Sequence, residues 1–472
     1  MTDTTNGVAR PAPASDLYRA VWRWHFYAGL LVLPFLIALS LTGAAYLFHD
    51  EIDNWIHADL KRVETVGDGA LAPSAILAAA LGAQPGEAVK YTDPPRDDLS
   101  AEVTVRTGDG SNIAVHVDQY SGRVLGSLPD QGTVAWTIRR LHSLKILGQS
   151  PRMIIEMAAG WSVLLVATGI WLWWPRGQRG GVVSVRATPA RRVFWRDLHA
   201  VTGIFVGGFI VFLAVTGLPW SSVLGGKVNQ WANGSNFGYP SGVRIDVPMS
   251  GAYLDHVAKT SWTLEQAQIP RSPMPGHEGH GPAQGHEAHG QQIPIPDARP
   301  IGIDEVVAIL DGLGLHRGYA VNLPAGPEGV FSGSVYPADL ARQRVVHLDQ
   351  YTGQPLIDVS YADYGPMGRA LEWGINTHMG QTFGTANQIV LLAACLATVL
   401  LSVSAAVMWW KRRPAGRLGV PPMPLDRRVF VGLFVLLGIG GVVFPLTGIS
   451  LAAMIALDLA WQAVARRRAL PG

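Results

Sequence analysis

Charge is what this 472-residue sequence has least of: Asp, Glu, Lys and Arg make up 15% of it, against roughly 25% in an ordinary soluble domain. Mean hydropathy is +0.20. Cysteine is nearly missing too. The lone Cys395 excludes a disulfide framework, cysteine-ligated clusters and the C-x-x-C-H attachment of a covalent haem. No G-x-G-x-x-G follows a strand-like run, so no NAD(P)H or flavin domain is encoded. The net charge of +2 offers no electrostatic footprint for a nucleic acid. The first apolar run lacks a small-residue cleavage site and is expected to persist as a helix, not to be removed as a signal peptide.

What the sequence has is long apolar runs. Five are long enough for a bilayer core that takes ~20 helical residues: Phe26–Phe48, Met153–Trp174, Ala200–Leu224, Ala386–Trp410 and Val429–Leu457. Within them the single charge is Glu156. Short connections report orientation through their Lys/Arg content. Residues 175–196 hold six arginines and no acid, and residues 411–428 hold six basic residues and one Asp. Both connections are expected to be cytoplasmic. The division is then an N-terminal cytoplasmic segment 1–24, spans 25–48, 153–174, 199–224 and 386–410, and cytoplasmic loops 175–198 and 411–428. The long segments 49–152 and 225–385 fall outside the cytoplasm. Residues 429–457 read either as a fifth span or as a re-entrant pair broken near Pro445, because Ala-Arg-Arg-Arg at 465–468 sits badly outside.

The chain repeats itself. His25 precedes Thr42-Gly43 by seventeen residues, and His199 precedes Thr216-Gly217 by the same interval. His142 precedes Thr168 by twenty-six residues, and His378 precedes Ser404 by twenty-six. Paired tryptophans, Trp173-Trp174 and Trp409-Trp410, follow five and six residues later in both copies. Gly148 and Gly384 each lie six residues past their histidine. The long segments also match: HVDQYSGRVLG (116–126) and HLDQYTGQPLI (347–357) share H-x-D-Q-Y-[ST]-G. Each follows a helical stretch and strand-like alternation. The fold expected is a multi-pass α-helical membrane protein of two parallel repeats, each helix, α+β outer module, helix, plus a C-terminal apolar helix.

Four histidines stand at the mouths of these spans. Ionisable groups at membrane depth are costly and usually paired or functional. A haem iron has two axial positions, and neutral imidazole is a standard ligand for it. Two-fold-related repeats supply one histidine to each face: His25 with His199 toward the cytoplasm, His142 with His378 toward the outside. Gly29 and Gly203 lie one turn from their histidines on the same helix face and leave room for a flat macrocycle. The plain alternative is interfacial rings with their polar edges among headgroups.

The other ionisable groups carry weaker signals. His49, at the end of the first span, could stand in for His142 or His378, but it has no counterpart after Thr216-Gly217. His116 and His347, in the paired loop motif, read as solvated strand residues. Glu156 reads either as part of a proton path or as an interfacial group. Residues 274–290, MPGHEGHGPAQGHEAHG, place His277, His280, His286 and His289 in two G-H-E-x-H units. Gly and Pro forbid a packed core there, and imidazole tracts suit copper, nickel or zinc.

LHSLKILG…TGIWLWWPR, HMGQTFG…SAAVMWWKRR and the twice-used D-Q-Y-[ST]-G resemble the PepSY-associated transmembrane helix family of bacterial inner-membrane proteins. The resemblance covers nearly the whole chain. Members include siderophore-iron reductases of the FoxB type, with b haems between histidines of the membrane helices. It implies two haem b groups at His25, His199, His142 and His378, and reduction of a periplasmic ferric siderophore or other metal complex. The electron donor would be a separate reductase or membrane quinol. Two rival functions are a non-redox metal-uptake or metal-binding protein, and a PepSY-type regulatory binding protein anchored by its helices.

Overall fold

The computed structural model describes residues 16–148, 150–175, 181–234, 238, 249–273, 299–415, 418–421 and 427–469. His277, His280, His286 and His289 therefore lie outside the described residues. The chain divides into two units. One comprises the residues up to 44, 142–224 and those from 389; the other comprises 45–141 and 225–388.

The first unit is helical. Its long elements are α1 (Asp16–Tyr46), α6 (Arg152–Trp173), α7 (Arg192–Gly217), α12 (Gly384–Arg412), α13 (Arg427–Val443) and α14 (Pro445–Ala469). Among the described residues, four helices are long and apolar enough to cross a membrane: α1, α6, α7 with the 3₁₀ turn that follows it, and α12. Each lies on one of the first four apolar runs. The fifth run is not one helix. It breaks at Phe444 between α13 and α14, since Pro445 has no N–H to continue the ladder, and Gly441 and Gly448 let the two backbones touch. A core of Val21, Trp24, Ala28, Trp161, Leu437 and Leu451 joins α1, α6, α13 and α14. A second small cluster, Val206, Ile210 and Ala394, joins α7 and α12. The tryptophan pairs keep the repeat in three dimensions. Trp173 donates its indole N–H to the Val182 carbonyl at 2.8 Å, and Trp409 donates to Leu418 at 2.9 Å, each nine residues on.

The second unit holds the strands. α2 (His49–Ile56), α3 (Ala58–Lys61) and α4 (Pro73–Ala83) precede β1 (Glu87–Thr92), β2 (Ala101–Arg106), β3 (Asn112–Val117) and β4 (Val124–Pro129). α5 (Val134–His142) ends the first half. α8 (Leu224–Gly234), β5 (Met249–Tyr253), α9 (Leu254–Val257) and β6 (Gln268–Pro270) open the second. α10 (Ile303–Gly312) then leads into β7 (Ala320–Asn322), β8 (Val330–Val335), β9 (Arg344–Asp349) and β10 (Pro355–Ser360), and α11 (Pro366–His378) follows.

The two β-bearing modules share a sheet. Strand order is β10-β9-β8-β7-β1-β2-β3-β4, so the halves join where β1 pairs with β7 in antiparallel register, Tyr91 opposite Val321. One apolar core under α4 and α10 serves both halves, with Ile76, Val103, Val115, Val306, Leu310 and Val346 in it. The N-termini of the two helices are tied by Ser74, whose amide donates to Asp304 at 2.7 Å.

The shared H-x-D-Q-Y-[ST]-G motif is the turn between the last two strands of each half. Asp118 and Asp349 accept the amides of Tyr120 and Tyr351, each at 2.9 Å. Gly122 and Gly353 sit at φ +72° and +68°, a conformation that glycine adopts without steric cost. Gln350 Nε2 donates to the carbonyls of Gly326, Pro327 and Gly329 at 3.1, 2.8 and 2.9 Å, and Gln119 binds Asp97 and Leu99 likewise. The motif is scaffolding.

Candidate functional site

His25 stands nine residues into α1 and His199 seven residues into α7, counted from Asp16 and Arg192. The two ring centres lie 6.5 Å apart, with the ring planes at 81°. Both imidazoles are half-buried. Their hydrogen bonds fix their tautomers. His25 Nδ1 lies 2.9 Å from Thr168 Oγ1. Thr168 gives its own proton to the Leu164 carbonyl at 2.8 Å, so it accepts from the ring. His199 Nδ1 lies 3.0 Å from the Leu401 carbonyl, which only accepts. Each ring thus carries its proton on Nδ1 and keeps the Nε2 lone pair bare, the state of a metal-binding imidazole oriented by its other nitrogen.

The same device recurs at His142. Its Nδ1 is 2.9 Å from Thr42 Oγ1, and Thr42 donates to the Ala38 carbonyl at 2.6 Å. His142 belongs to the helical unit, and seats against α1 seventeen residues beyond His25, about 25 Å along a helix rising 1.5 Å per residue. A glycine follows each threonine. A Cβ at Gly169 would lie 3.4 Å from His25 Cε1, and one at Gly43 3.4 Å from His142 Cε1. The Thr-Gly pair is a seat: the hydroxyl takes the ring proton and the missing side chain clears the ring edge. The repeat marked these residues in the sequence, yet their role as seats was not read from it.

His378 is the last residue of α11, half-buried, and belongs to the other unit. Its pairing with His142 rests on the repeat register. A Cβ at Gly29 would meet only Leu165, at 4.0 Å, and one at Gly203 would meet Leu401 at 3.4 Å, so no tight packing claims the space beside either glycine.

The spacing of the His25–His199 pair fits a haem. A metal bonded to two imidazole nitrogens at about 2.0 Å each would hold ring centres about 6.3 Å apart. The observed 6.5 Å, the bare Nε2 atoms and the open space at Gly29 suit bis-histidine ligation of a flat macrocycle.

The remaining candidates resolve differently. His49 donates Nδ1–H to the Tyr46 carbonyl at 3.0 Å, stacks on the Tyr46 ring, and brings Nε2 within 3.5 Å of Asp50. Both of its nitrogens are engaged locally. The solvated reading of His116 and His347 is overturned: they are 6% and 3% exposed. His347 bonds Ser332 Oγ at 2.8 Å, beside Leu254 and Leu264 from the segment that covers this face. Burial lowers its pKa to about 4, and burial lowers that of His116 as well. Glu156, also buried, accepts the amides of Val223 and Leu224 at 2.8 and 3.1 Å. It caps the first amides of α8, donors that a helix cannot satisfy itself. Arg152, one turn earlier, donates to the Trp220 carbonyl at 3.0 Å, so the two side chains together fix the corner after α7.

No curated protein matches the chain. The family model described as PepSY-associated TM region matches residues 22–412, from three residues before His25 to the end of α12. That match takes in the four histidines, the threonine seats and both halves of the sheet, and the chain belongs to the PepSY-associated TM region family.

Proposed function

We propose that this membrane protein carries electrons across the bacterial inner membrane through two b-type haems and reduces a ferric siderophore or another metal complex in the periplasm. The observation that carries the reading is the His25–His199 pair, 6.5 Å apart, with both Nδ1 protons committed elsewhere. Bound between such rings, haem supplies reversible one-electron chemistry.

The chain's own residues do the rest. Thr168 and the Leu401 carbonyl hold the two inner imidazoles in one tautomer, and Thr42 does so for His142. Apolar helix faces keep bulk water away from them. The repeat assigns His142 and His378 to the second, outer haem. Arginine-rich connections orient the N-terminus to the cytoplasm, so the His25–His199 level receives electrons and the His142 level delivers them. The donor is a membrane quinol or a separate flavin or NAD(P)H reductase. The histidines at 277, 280, 286 and 289 would gather copper, nickel or zinc near the outer face.

Inside-out vesicles test the direction. Supplied with donor outside and a ferric chelate trapped inside, wild-type protein should reduce the lumenal chelate. His142→Ala and His378→Ala should still accept electrons but fail to deliver them, and His25→Ala and His199→Ala should leave the outer haem oxidised. Lumenal reduction at the wild-type rate in the outer-pair variants would refute the two-haem path.

A further inference from the structure

We propose that Thr168 and Ser404 tune the reduction potential of the His25–His199 site in opposite directions, as positioning residues that act through the two Nδ1–H bonds. The inference rests on the haem reading above.

Thr168 and Ser404 occupy the same place in the repeat, each twenty-six residues after its histidine. Their relations to the facing rings differ. Thr168 accepts the His25 proton at 2.9 Å, having given its own to Leu164. Ser404 does the reverse: its hydroxyl donates at 2.8 Å to the Leu401 carbonyl, the same oxygen that receives the His199 proton at 3.0 Å. Thr168 is an acceptor for one ring, and Ser404 competes for the acceptor of the other.

An imidazole that donates from Nδ1 to a good acceptor is a more basic ligand at Nε2. A more basic ligand stabilises the ferric over the ferrous ion, which carries one charge less, and so lowers the potential. Thr168 therefore pulls the potential down. Ser404 draws on the Leu401 oxygen and weakens the His199 bond, so it pushes the potential up. The difference gives the two ring faces unequal donors on a scaffold that is otherwise repeated.

The test uses the full chain in detergent, titrated potentiometrically and followed by absorbance, with the relevant component identified by its loss in His25→Ala. Thr168→Val keeps the shape and removes the acceptor. It should weaken ferric relative to ferrous binding about tenfold, a rise of about 59 mV for a one-electron couple. Thr168→Ser should restore the wild-type potential. Ser404→Ala should shift it downward. Loss of the component in Thr168→Val with retention in Thr168→Ser also supports the proposal. Loss in both, no shift in Thr168→Val and Ser404→Ala, or shifts of the same sign would overturn it. A wild type with no His25-dependent haem band defeats the haem reading and this proposal with it. A band indifferent to both side chains defeats the proposal alone.

Discussion

The Thr42 hydroxyl lies 2.9 Å from Nδ1 of His142, the same distance that separates Thr168 from His25. The exchange is reciprocal: α1 carries one histidine and the seat of another, while the seat on α6 serves the histidine of α1. Helix register is thereby locked at two levels. Thr42→Val removes one hydrogen-bond partner of His142, a loss of about 0.5–1.5 kcal/mol. Thermal unfolding should show that loss, Thr42→Ser should recover it, and the His25-dependent haem band should stay unchanged. A shift of that band in Thr42→Val would mean that the two levels are not separate.

That reciprocity also shows what the sequence conceals. Register pairs Thr42 with His25 and Thr168 with His142, but space exchanges the partners, because antiparallel helices bring the end of one beside the start of the other. The four long apolar helices were legible from charge scarcity and run length; α6 and α12 begin and end within two residues of their runs, whereas α1 begins ten residues and α7 eight residues before theirs. The union of two modules into one sheet was not legible, because the β1–β7 pairing joins residues more than two hundred positions apart. His116 and His347 read as solvated strand residues, but both are buried in the fold. The break at Pro445 was one of two readings that hydropathy left open.

Acid should weaken the sheet through its buried histidine. His347 is neutral in the folded state with its pKa lowered to about 4, whereas an unfolded histidine titrates near 6.5. Below that value the unfolded chain binds the extra proton. The stabilisation from this group is therefore complete above pH ~6.5 and is lost as pH falls through about 4. Its size is on the order of 3 kcal/mol. His347→Gln should flatten the pH dependence of unfolding in this window, and an unchanged slope would contradict the assignment.

The D-Q-Y turn should matter to stability and not to colour. Gln350→Ala removes a buried side chain whose amide donates to three carbonyls and should cost about 0.5–1.5 kcal/mol, seen as a lower Tm. The haem spectrum should match the wild type. A spectral change would give the motif a part in the site.

Packing of the C-terminal helices depends on Gly160. A Cβ there would fall 2.2 Å from Thr447 Oγ1 and 3.0 Å from Phe444 Cβ, and overpacking of this kind costs about 1–3 kcal/mol. Gly160→Ala should loosen α14 from α6 and expose the 444–447 segment to protease. Protection equal to wild type would show that the contact is dispensable.

Deleting residues 276–290 should leave the haem bands in place while lowering copper, nickel or zinc binding measured by equilibrium dialysis. A shifted Soret band would place one of those histidines at the haem.

The central claim is bis-histidine ligation between α1 and α7. Haem content and the reduced-minus-oxidised spectrum of purified wild type, His25→Ala and His199→Ala test it most directly. The account predicts close to two non-covalent haems per wild-type chain, and loss of the same single b-type component in both variants while the other component persists. Wild-type protein without haem, or variants that lose different components, would contradict it.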